Sequence, residues 1–283
     1  MFKKIVIADN CAKYADIAFN NTISLSSSTL ILGAIFFAFQ IYGDFSGYSD
    51  IAIGTSRLFG FNLMKNFAFP YFSRDIAEFW RRWHISLSTW FRDYLYIPIG
   101  GNKGNFCVKI RNIFIIFIIS GFWHGANWTF IIWGLLNAIY FLPLLLFNRH
   151  RNNLDIVAKD KAFPSIKDVM SIFITFILTI FGWIFFRASN LKHAFNYISN
   201  IFSNTILSVP DFPLGSKLRV VITIGCVIFL LLIEWVGRKE EYGIEKIFLK
   251  QNTILRHGLY YIILFMIIVF GSFDKDYFIY FQF

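Results

Sequence analysis

One histidine, His124, is the side chain in this sequence best suited to chemistry. From Asn112 to Phe147 it is the only group that titrates near neutral pH. A lone ionisable group in an apolar stretch is a candidate functional residue, and a buried neutral imidazole can accept a proton. Gly121 and Gly125 would leave room beside it for a helix kink or a substrate chain, and Trp123 and Trp128 could line that space. The alternative is a histidine that bonds a backbone carbonyl and braces the bend, and the residues alone leave both roles open.

A second histidine, His84, follows Arg81, Arg82 and Trp83 at the border of an aromatic and a basic stripe. It could face a cavity that opens to the cytoplasm, or it could be an interfacial histidine of a helix on the membrane surface. The guanidinium groups of Arg81, Arg82 and Arg92 suit an anionic cofactor phosphate, but lipid headgroups would suit them as well. We interpret His150, His193 and His257 as histidines in solvated loops or at the level of the lipid headgroups.

The elements that position these residues must be membrane helices. The 283 residues are 57% hydrophobic and only 16% charged, whereas soluble domains average about 45–50% and about 25%. Three widely spaced cysteines without a CxxC pair argue against structural zinc and a disulfide framework. The net charge of +10 is best explained by basic cytoplasmic loops beside anionic membrane lipid, so no nucleic-acid partner is expected.

The apolar stretches predict an all-α, polytopic membrane bundle with six crossings. The first runs from Leu25 to Tyr42. The zone from Ile113 to Phe147 is too long for one crossing, because a continuous helix would measure about 50 Å, so it is interpreted as a bent pair. Three further spans are expected at about 169–186, 220–236 and 258–273. With no repeat or linker in the sequence, residues 1–283 are interpreted as a single domain.

The loops between the last spans indicate an orientation. In chain order, the three loops carry five, two and five Lys and Arg residues, and the tail carries one. Cytoplasmic loops carry the excess of Lys and Arg. We therefore expect the first and third of these loops in the cytoplasm and the C-terminus outside.

The segment from Asp44 to Arg111 fits no simple span. Aromatic residues recur in it at three- and four-residue steps from Ile76 to Tyr94, with charges between them. This pattern predicts an amphipathic helix pair that lies in the interface or enters the membrane part way. Ser73 is expected to cap it.

Several catalytic templates are absent. The sequence has no HExxH, P-loop, GxGxxG or GxSxG motif, and neither His84 nor His124 is followed by Asp four residues later. No metal site is expected.

Long motifs in this order resemble those of the membrane-bound O-acyltransferase (MBOAT) superfamily, in its bacterial branch of alginate and peptidoglycan O-acetylation and teichoic acid D-alanylation. They are DFSGYSDIAIG (44–54), FWRRWHISLSTWFRDYLYIPIGG (79–101), GFWHG (121–125), FFRA (185–188) and FIYFQF (278–283). Members of this family are usually longer, with several spans before the stretch that begins at Phe2. The chain therefore resembles the C-terminal part of a longer member.

The resemblance implies transfer of an acyl group, most simply acetyl, from a cytoplasmic thioester such as acetyl-CoA to a hydroxyl of an exported cell-envelope polysaccharide. It implies that His124 is catalytic, as a general base, and that His84 is the second member of the pair. Asn127 and Trp128 are then candidates to stabilise the oxyanion. The expected location is the bacterial inner membrane, and no bound cofactor is expected.

The tail suggests a further role, since it resembles the tail of a small membrane partner in teichoic acid D-alanylation. Tyr280 could carry the acyl group as an ester until an extracellular or periplasmic transferase collects it. The alternative is an interfacial aromatic anchor.

Two rival functions remain for the chain as a whole. One is a transporter in which His124 relays protons. The other is an inactive scaffold that docks an extracellular transferase.

Overall fold

The computed structural model describes residues 1–212, 217–247 and 253–273, and every regular element in these ranges is a helix. A π-helical segment, Phe2–Ala8, precedes ten α-helices. Short 3-10 and π turns occupy Pro70–Phe72 and Arg92–Tyr96. The α-helices are α1 (Asp9–Asn20), α2 (Ser27–Leu58), α3 (Ile76–Arg82), α4 (Ile85–Phe91), α5 (Phe106–His124), α6 (Trp128–Leu146), α7 (Ile166–Arg187), α8 (Leu191–Ile201), α9 (Lys217–Gly237) and α10 (Thr253–Phe270).

Six of the described helices are long and apolar enough to cross a membrane: α2, α5, α6, α7, α9 and α10. This confirms the predicted polytopic helix bundle. The predicted bent pair is α5 and α6, which are separated by residues 125–127. The predicted amphipathic pair is α3 and α4, although Asp75 rather than Ser73 caps α3, since its carboxylate accepts a hydrogen bond from the Glu78 amide.

The chain divides into two compact units, Met1–Leu63 with Asn196–Phe283, and Met64–Phe195. We call them the terminal unit and the central unit. Both candidate histidines, His84 and His124, belong to the central unit.

In the terminal unit, α2 is longer than the sequence predicted. The span was expected to end at Tyr42, but the helix continues to Leu58 through Asp44 and Asp50. The carboxylates are neutralised inside the unit, because Lys4 Nζ lies 2.7 Å from Asp44 Oδ1 and Lys3 Nζ lies 3.0 Å from Asp50 Oδ2. The prediction was wrong here because a hydropathy average penalises every charged residue, whether or not it is paired. In the folded unit each of these carboxylates has a lysine as its counter-ion.

The N-terminal segment packs against the first motif, residues 44–54, and the glycine that precedes it. A Cβ added to Gly43 would lie 2.7 Å from the carbonyl oxygen of Lys3, and one added to Gly47 would lie 3.0 Å from the amide nitrogen of Lys4. The two backbones therefore touch where larger residues would hold them apart. The close approach brings the Lys4 ammonium to the buried Asp44.

In the central unit, α5 and α6 form a tight hairpin through reciprocal glycine contacts. A Cβ added to Gly121 of α5 would lie 2.3 Å from the carbonyl oxygen of Phe130. One added to Gly134 of α6 would lie 2.2 Å from the carbonyl oxygen of Phe117. Small residues at such contacts let membrane helices approach backbone to backbone, where packing rather than hydrophobicity drives association.

The hairpin contact can be tested with alanine. Gly134→Ala forces α5 and α6 apart, and overpacking of this kind typically costs about 1–3 kcal/mol. We expect a Tm several degrees lower in detergent. Gly225→Ala on α9 is the matched control, because an added Cβ there meets no atom within 4 Å, and alanine favours a helix over glycine by about 1 kcal/mol. Equal Tm values for the two variants would contradict the close contact.

Candidate active site

His124 is the last residue of α5, and four aromatic rings surround its imidazole. We call Trp123, Phe130, Trp133 and Phe186 the histidine cage. Their ring centroids lie 4.8, 6.3, 5.2 and 4.9 Å, respectively, from that of His124. Three helices thus meet at one imidazole, since Phe130 and Trp133 lie on α6 and Phe186 on α7.

The turn between α5 and α6 fixes the end of α5 next to the cage. The Oδ1 atom of Asn127 accepts a hydrogen bond from the Thr129 amide and caps α6, and its Nδ2 atom donates to the Ser189 carbonyl. A Cβ added to Gly125 would lie 2.7 Å from the Phe130 ring. The space beside Gly121 and Gly125 is therefore occupied by Phe130. Of the two uses expected for these glycines, the break of the helix is observed directly after His124, whereas Phe130 of α6 fills the space expected for a substrate chain.

His84 occupies the break between α3 and α4 and adopts a left-handed backbone conformation with φ of +45°. Asn66 supports this unusual turn, as its carbonyl oxygen accepts from the Ile85 amide at 2.9 Å and its Oδ1 accepts from the Ser86 hydroxyl at 2.6 Å. The Ser86 hydroxyl also lies 3.4 Å from Nδ1 of His84. Such strain is stable only where neighbouring groups fix the conformation.

Trp123 contacts both histidines. Its ring centroid lies 6.5 Å from that of His84 and 4.8 Å from that of His124. Burial lowers the pKa of His84 to about 4, so its imidazole is neutral at pH 7, with one nitrogen that donates and one that accepts. The structure therefore brings both predicted histidines into contact with one indole.

Trp183 of α7 lies behind the cage. Its ring contacts Trp83, Trp133 and Phe186 at centroid distances of 5.1, 5.8 and 5.3 Å. Its indole Nε1 is buried and has no hydrogen-bond partner among the described residues. A buried N–H without a partner carries the full cost of desolvation.

The three predicted anion-binding arginines lie in different settings. Arg82 pairs with the buried Glu78 at 2.7 Å. Arg81 donates to the carbonyl oxygens of His150 and Asn153. The exposed Arg92 pairs with Asp93. Arg81 and Arg82 therefore hold the loop after α6 onto α3, and a role for any of the three in binding a donor or a lipid headgroup stays a prediction.

Glu78 is the centre of this network. Arg74 binds the same carboxylate from the other side, with its Nε 3.0 Å from Oε2. Arg74 also donates to the carbonyl oxygen of Asp155 at 2.6 Å. The carboxylate is 1% exposed and has two guanidinium partners, which is what a buried charge requires.

The remaining predicted residues lie near the cage or outside the described ranges. The side chains of Trp123 and Trp128 are 54% and 70% exposed, so they lie at the open side of the hairpin turn. Tyr280 lies outside the described residues. In the described part of the chain, no group of three His, Cys, Asp or Glu residues could hold a metal ion.

Sequence reasoning missed Phe130, Trp133, Trp183 and Phe186 as site residues. Only Phe186 belongs to a motif that the family resemblance singles out, FFRA at 185–188. The others look like ordinary apolar positions of a membrane span, because their ring contacts with each other and with His124 arise only when α5, α6 and α7 pack together.

Comparison with known proteins agrees with the motifs. Residues 1–186 match the model of MBOAT, the membrane-bound O-acyltransferase family. The chain is 43% identical to the peptidoglycan O-acetyltransferase of Helicobacter pylori over 71% of its own length and 37% of the relative's. It is 44% identical to the probable alginate O-acetylase of Pseudomonas aeruginosa over 71% and 36%. It is 31% identical to the teichoic acid D-alanyltransferase of Bacillus subtilis over 56% and 40%.

The chain thus spans well under half the length of the curated relatives that it matches. The matched residues, 1–186, include α1 to α6, nearly all of α7 and the whole histidine cage. This multi-pass membrane chain belongs to the membrane-bound O-acyltransferase family.

Proposed function

We propose that the chain carries the reaction centre of a membrane O-acyltransferase that modifies a cell-envelope polymer. The observation that carries the proposal is the histidine cage, in which one imidazole at a helix end is held by rings from α5, α6 and α7. Two of the relatives are named as O-acetylating proteins and are 43% and 44% identical, against 31% for the D-alanyltransferase. Acetyl is therefore the acyl group that we favour.

The reaction needs a base and a place for negative charge. The neutral imidazole of His124 accepts the proton of an acceptor hydroxyl as its oxygen attacks the thioester carbonyl. A C–O bond forms, and the carbonyl oxygen becomes an oxyanion. When the C–S bond breaks, the imidazolium returns its proton to the leaving thiolate, so charge and protons balance. In the proposal the apolar rings shield the donor from water, which would otherwise hydrolyse it.

His84 is well placed to assist. Since its pKa is about 4, it stays neutral at physiological pH, so it adds no positive charge beside His124. In the proposal it positions the acceptor hydroxyl or the donor on the other side of Trp123.

Trp183 is the donor that we propose for the oxyanion. Its buried N–H has no partner among the described residues and lies one ring behind the cage. Asn127 and Trp128, the donors expected from the sequence, are less suited. The Asn127 amide already donates to the Ser189 carbonyl, and Trp128 is largely exposed.

The direction of transfer is proposed from charge and family. Alternating Lys and Arg counts favour a C-terminus outside the cell, in the bacterial inner membrane. The donor would then be a cytoplasmic thioester, either acetyl-CoA or a carrier-protein thioester, and the acceptor an exported polysaccharide. Tyr280, if it receives the acyl group as an ester, would pass it to an extracellular transferase.

His124→Ala should abolish acyl transfer. Loss of a general base typically costs about 10²–10⁴-fold in rate. The measurement is incorporation of labelled acetate into the envelope of cells that carry the variant gene. His257→Gln is the control, because this exposed histidine lies on α10 and bonds the Thr253 carbonyl. Full acetylation in the His124→Ala cells would reject the enzyme and favour a transporter or a scaffold.

Trp183→Phe keeps an aromatic ring and removes only the indole N–H and part of the ring volume. Loss of one oxyanion donor typically lowers kcat by about 10²–10³-fold, and KM for the thioester should change little. Initial rates in proteoliposomes over a range of donor concentrations separate the two constants. Trp90→Phe, at an exposed position of α4, should leave both unchanged. A variant with normal kcat would assign Trp183 to packing alone.

Tyr280→Phe keeps the ring and removes the hydroxyl that an acyl ester needs. Acceptor acetylation should fall to background in cells if the tail carries the acyl group. Tyr277→Phe, three residues earlier, is the matched control and should acetylate normally. Unimpaired acetylation by the Tyr280→Phe protein would leave the tail as an interfacial anchor.

A further inference from the structure

The terminal unit contains a cleft that none of the proposed chemistry uses. It has a volume of about 860 Å³ and lies between α1, α9 and the end of α10. Ligand sites in proteins typically measure about 300–1,000 Å³, so the cleft is large enough for a small amphiphile or one lipid chain. We propose that it binds a membrane amphiphile with a phosphate-bearing headgroup, such as an anionic phospholipid.

Regular helix spacing builds the two long walls. Asn10, Lys13, Tyr14 and Ile17 of α1 line one side. Positions 219, 222, 223 and 226 of α9 line the other. Both sets repeat at steps of three and four residues, which puts each on one helix face.

The two helices run antiparallel along the cleft. The side chain of Tyr14 lies near that of Thr223, and the side chain of Cys11 lies near that of Cys226. Later residues of α1 therefore lie toward earlier residues of α9. As a result, Lys13 and Asp16 approach the end of the cleft that Arg219 occupies.

That end is the charged one. Lys13 and Arg219 are exposed, and with Asp16 they give the mouth a net charge of +1. All three already interact with other groups of the protein, so a bound phosphate would join an existing network. Two cations beside a single carboxylate favour an anionic or zwitterionic headgroup.

The opposite end is mostly apolar, and side-chain hydrogen bonds to backbone groups join its walls. Val6 and Cys226 are buried there. The Asn10 amide donates to the carbonyl oxygens of Val6 and Phe270 at 2.9 and 2.8 Å and so joins α10 to this end. A hydrocarbon chain at this end would contact apolar side chains and backbone carbonyl groups that already accept hydrogen bonds.

The position of α9 in the membrane matches this polarity. Arg219 is the third residue of a candidate span, and Cys226 lies seven residues further along it. At 1.5 Å per residue this is about 10 Å deeper. Arg219 thus falls at the level of the headgroups, where the long side chains of Lys and Arg typically place their charge.

The test uses phosphatidylglycerol and the detergent-purified chain. Native mass spectrometry counts the lipid that each protein retains. We expect one phosphatidylglycerol per wild-type chain and about tenfold weaker retention by the double variant Lys13→Gln/Arg219→Gln, because Lys and Arg near a headgroup attract it electrostatically. Ile222→Trp, which fills the cleft without changing its charge, should also expel the lipid.

Lys217→Gln is the matched control, since Lys217 is an exposed cation at the same end of α9 that does not line the cleft. It should retain the lipid as the wild type does. Both charge substitutions are at exposed positions, so the double variant should fold even if Ile222→Trp does not.

Three outcomes would overturn the proposal. One is equal retention of phosphatidylglycerol by the wild type and the double variant. Another is equal loss in the Lys217→Gln control, which would reveal general surface attraction. The third is a Tm increase with inorganic phosphate alone as large as with the lipid, because that would mean a free-anion site. Acyl-transfer activity enters none of these readouts, so the cleft and the proposed enzyme function can fail independently.

Discussion

The close contact between α5 and α6 is the constraint on which the candidate site depends. Gly121 and Gly134 each face a backbone carbonyl oxygen of the other helix, at distances that no side chain could fit. This contact fixes the distance between α5 and α6 and their relative position. It therefore places the rings of Phe130 and Trp133 next to His124. Because lipid offers helices no hydrophobic reason to associate, the fit between small residues has to supply the geometry. Larger residues at these two positions would displace the rings of α6 from His124 without touching the imidazole directly.

Buried charges form the second requirement of the fold, and each unit meets it internally. In the central unit Glu78 is held between Arg74 and Arg82, and these arginines also bind carbonyl oxygens of the chain. In the terminal unit Lys4 lies between Asp9 and Asp44. An unpaired charge at such positions would be very costly. Asp44 of α2 and Arg82 of α3, which belong to the motifs, therefore stabilise the fold of their units through these ion pairs.

The candidate site joins two unlike histidines through one indole. His84 is held in a strained turn by Asn66 and Ser86, whereas His124 ends a regular helix. The ring neighbours of His124 come from α5, α6 and α7, and the proposed acyl transfer rests on this arrangement. Trp183, whose ring contacts two rings of the cage, has a buried N–H without a partner among the described residues.

The sequence by itself determined the membrane class, the six crossings, the interruption between α5 and α6, and the two histidines worth attention. These follow from hydropathy, helix breakers and residue type, which are local properties. It could not determine that α2 continues past Asp44, because the stabilising Lys3 and Lys4 belong to another element. It left open whether Gly121 and Gly125 make room for a kink or for a substrate chain, and tertiary packing puts Phe130 beside them. The histidine cage, the surroundings of the Trp183 N–H and the cleft of the terminal unit were decided by the tertiary structure alone, since each is made by side chains of separate helices that meet only after packing.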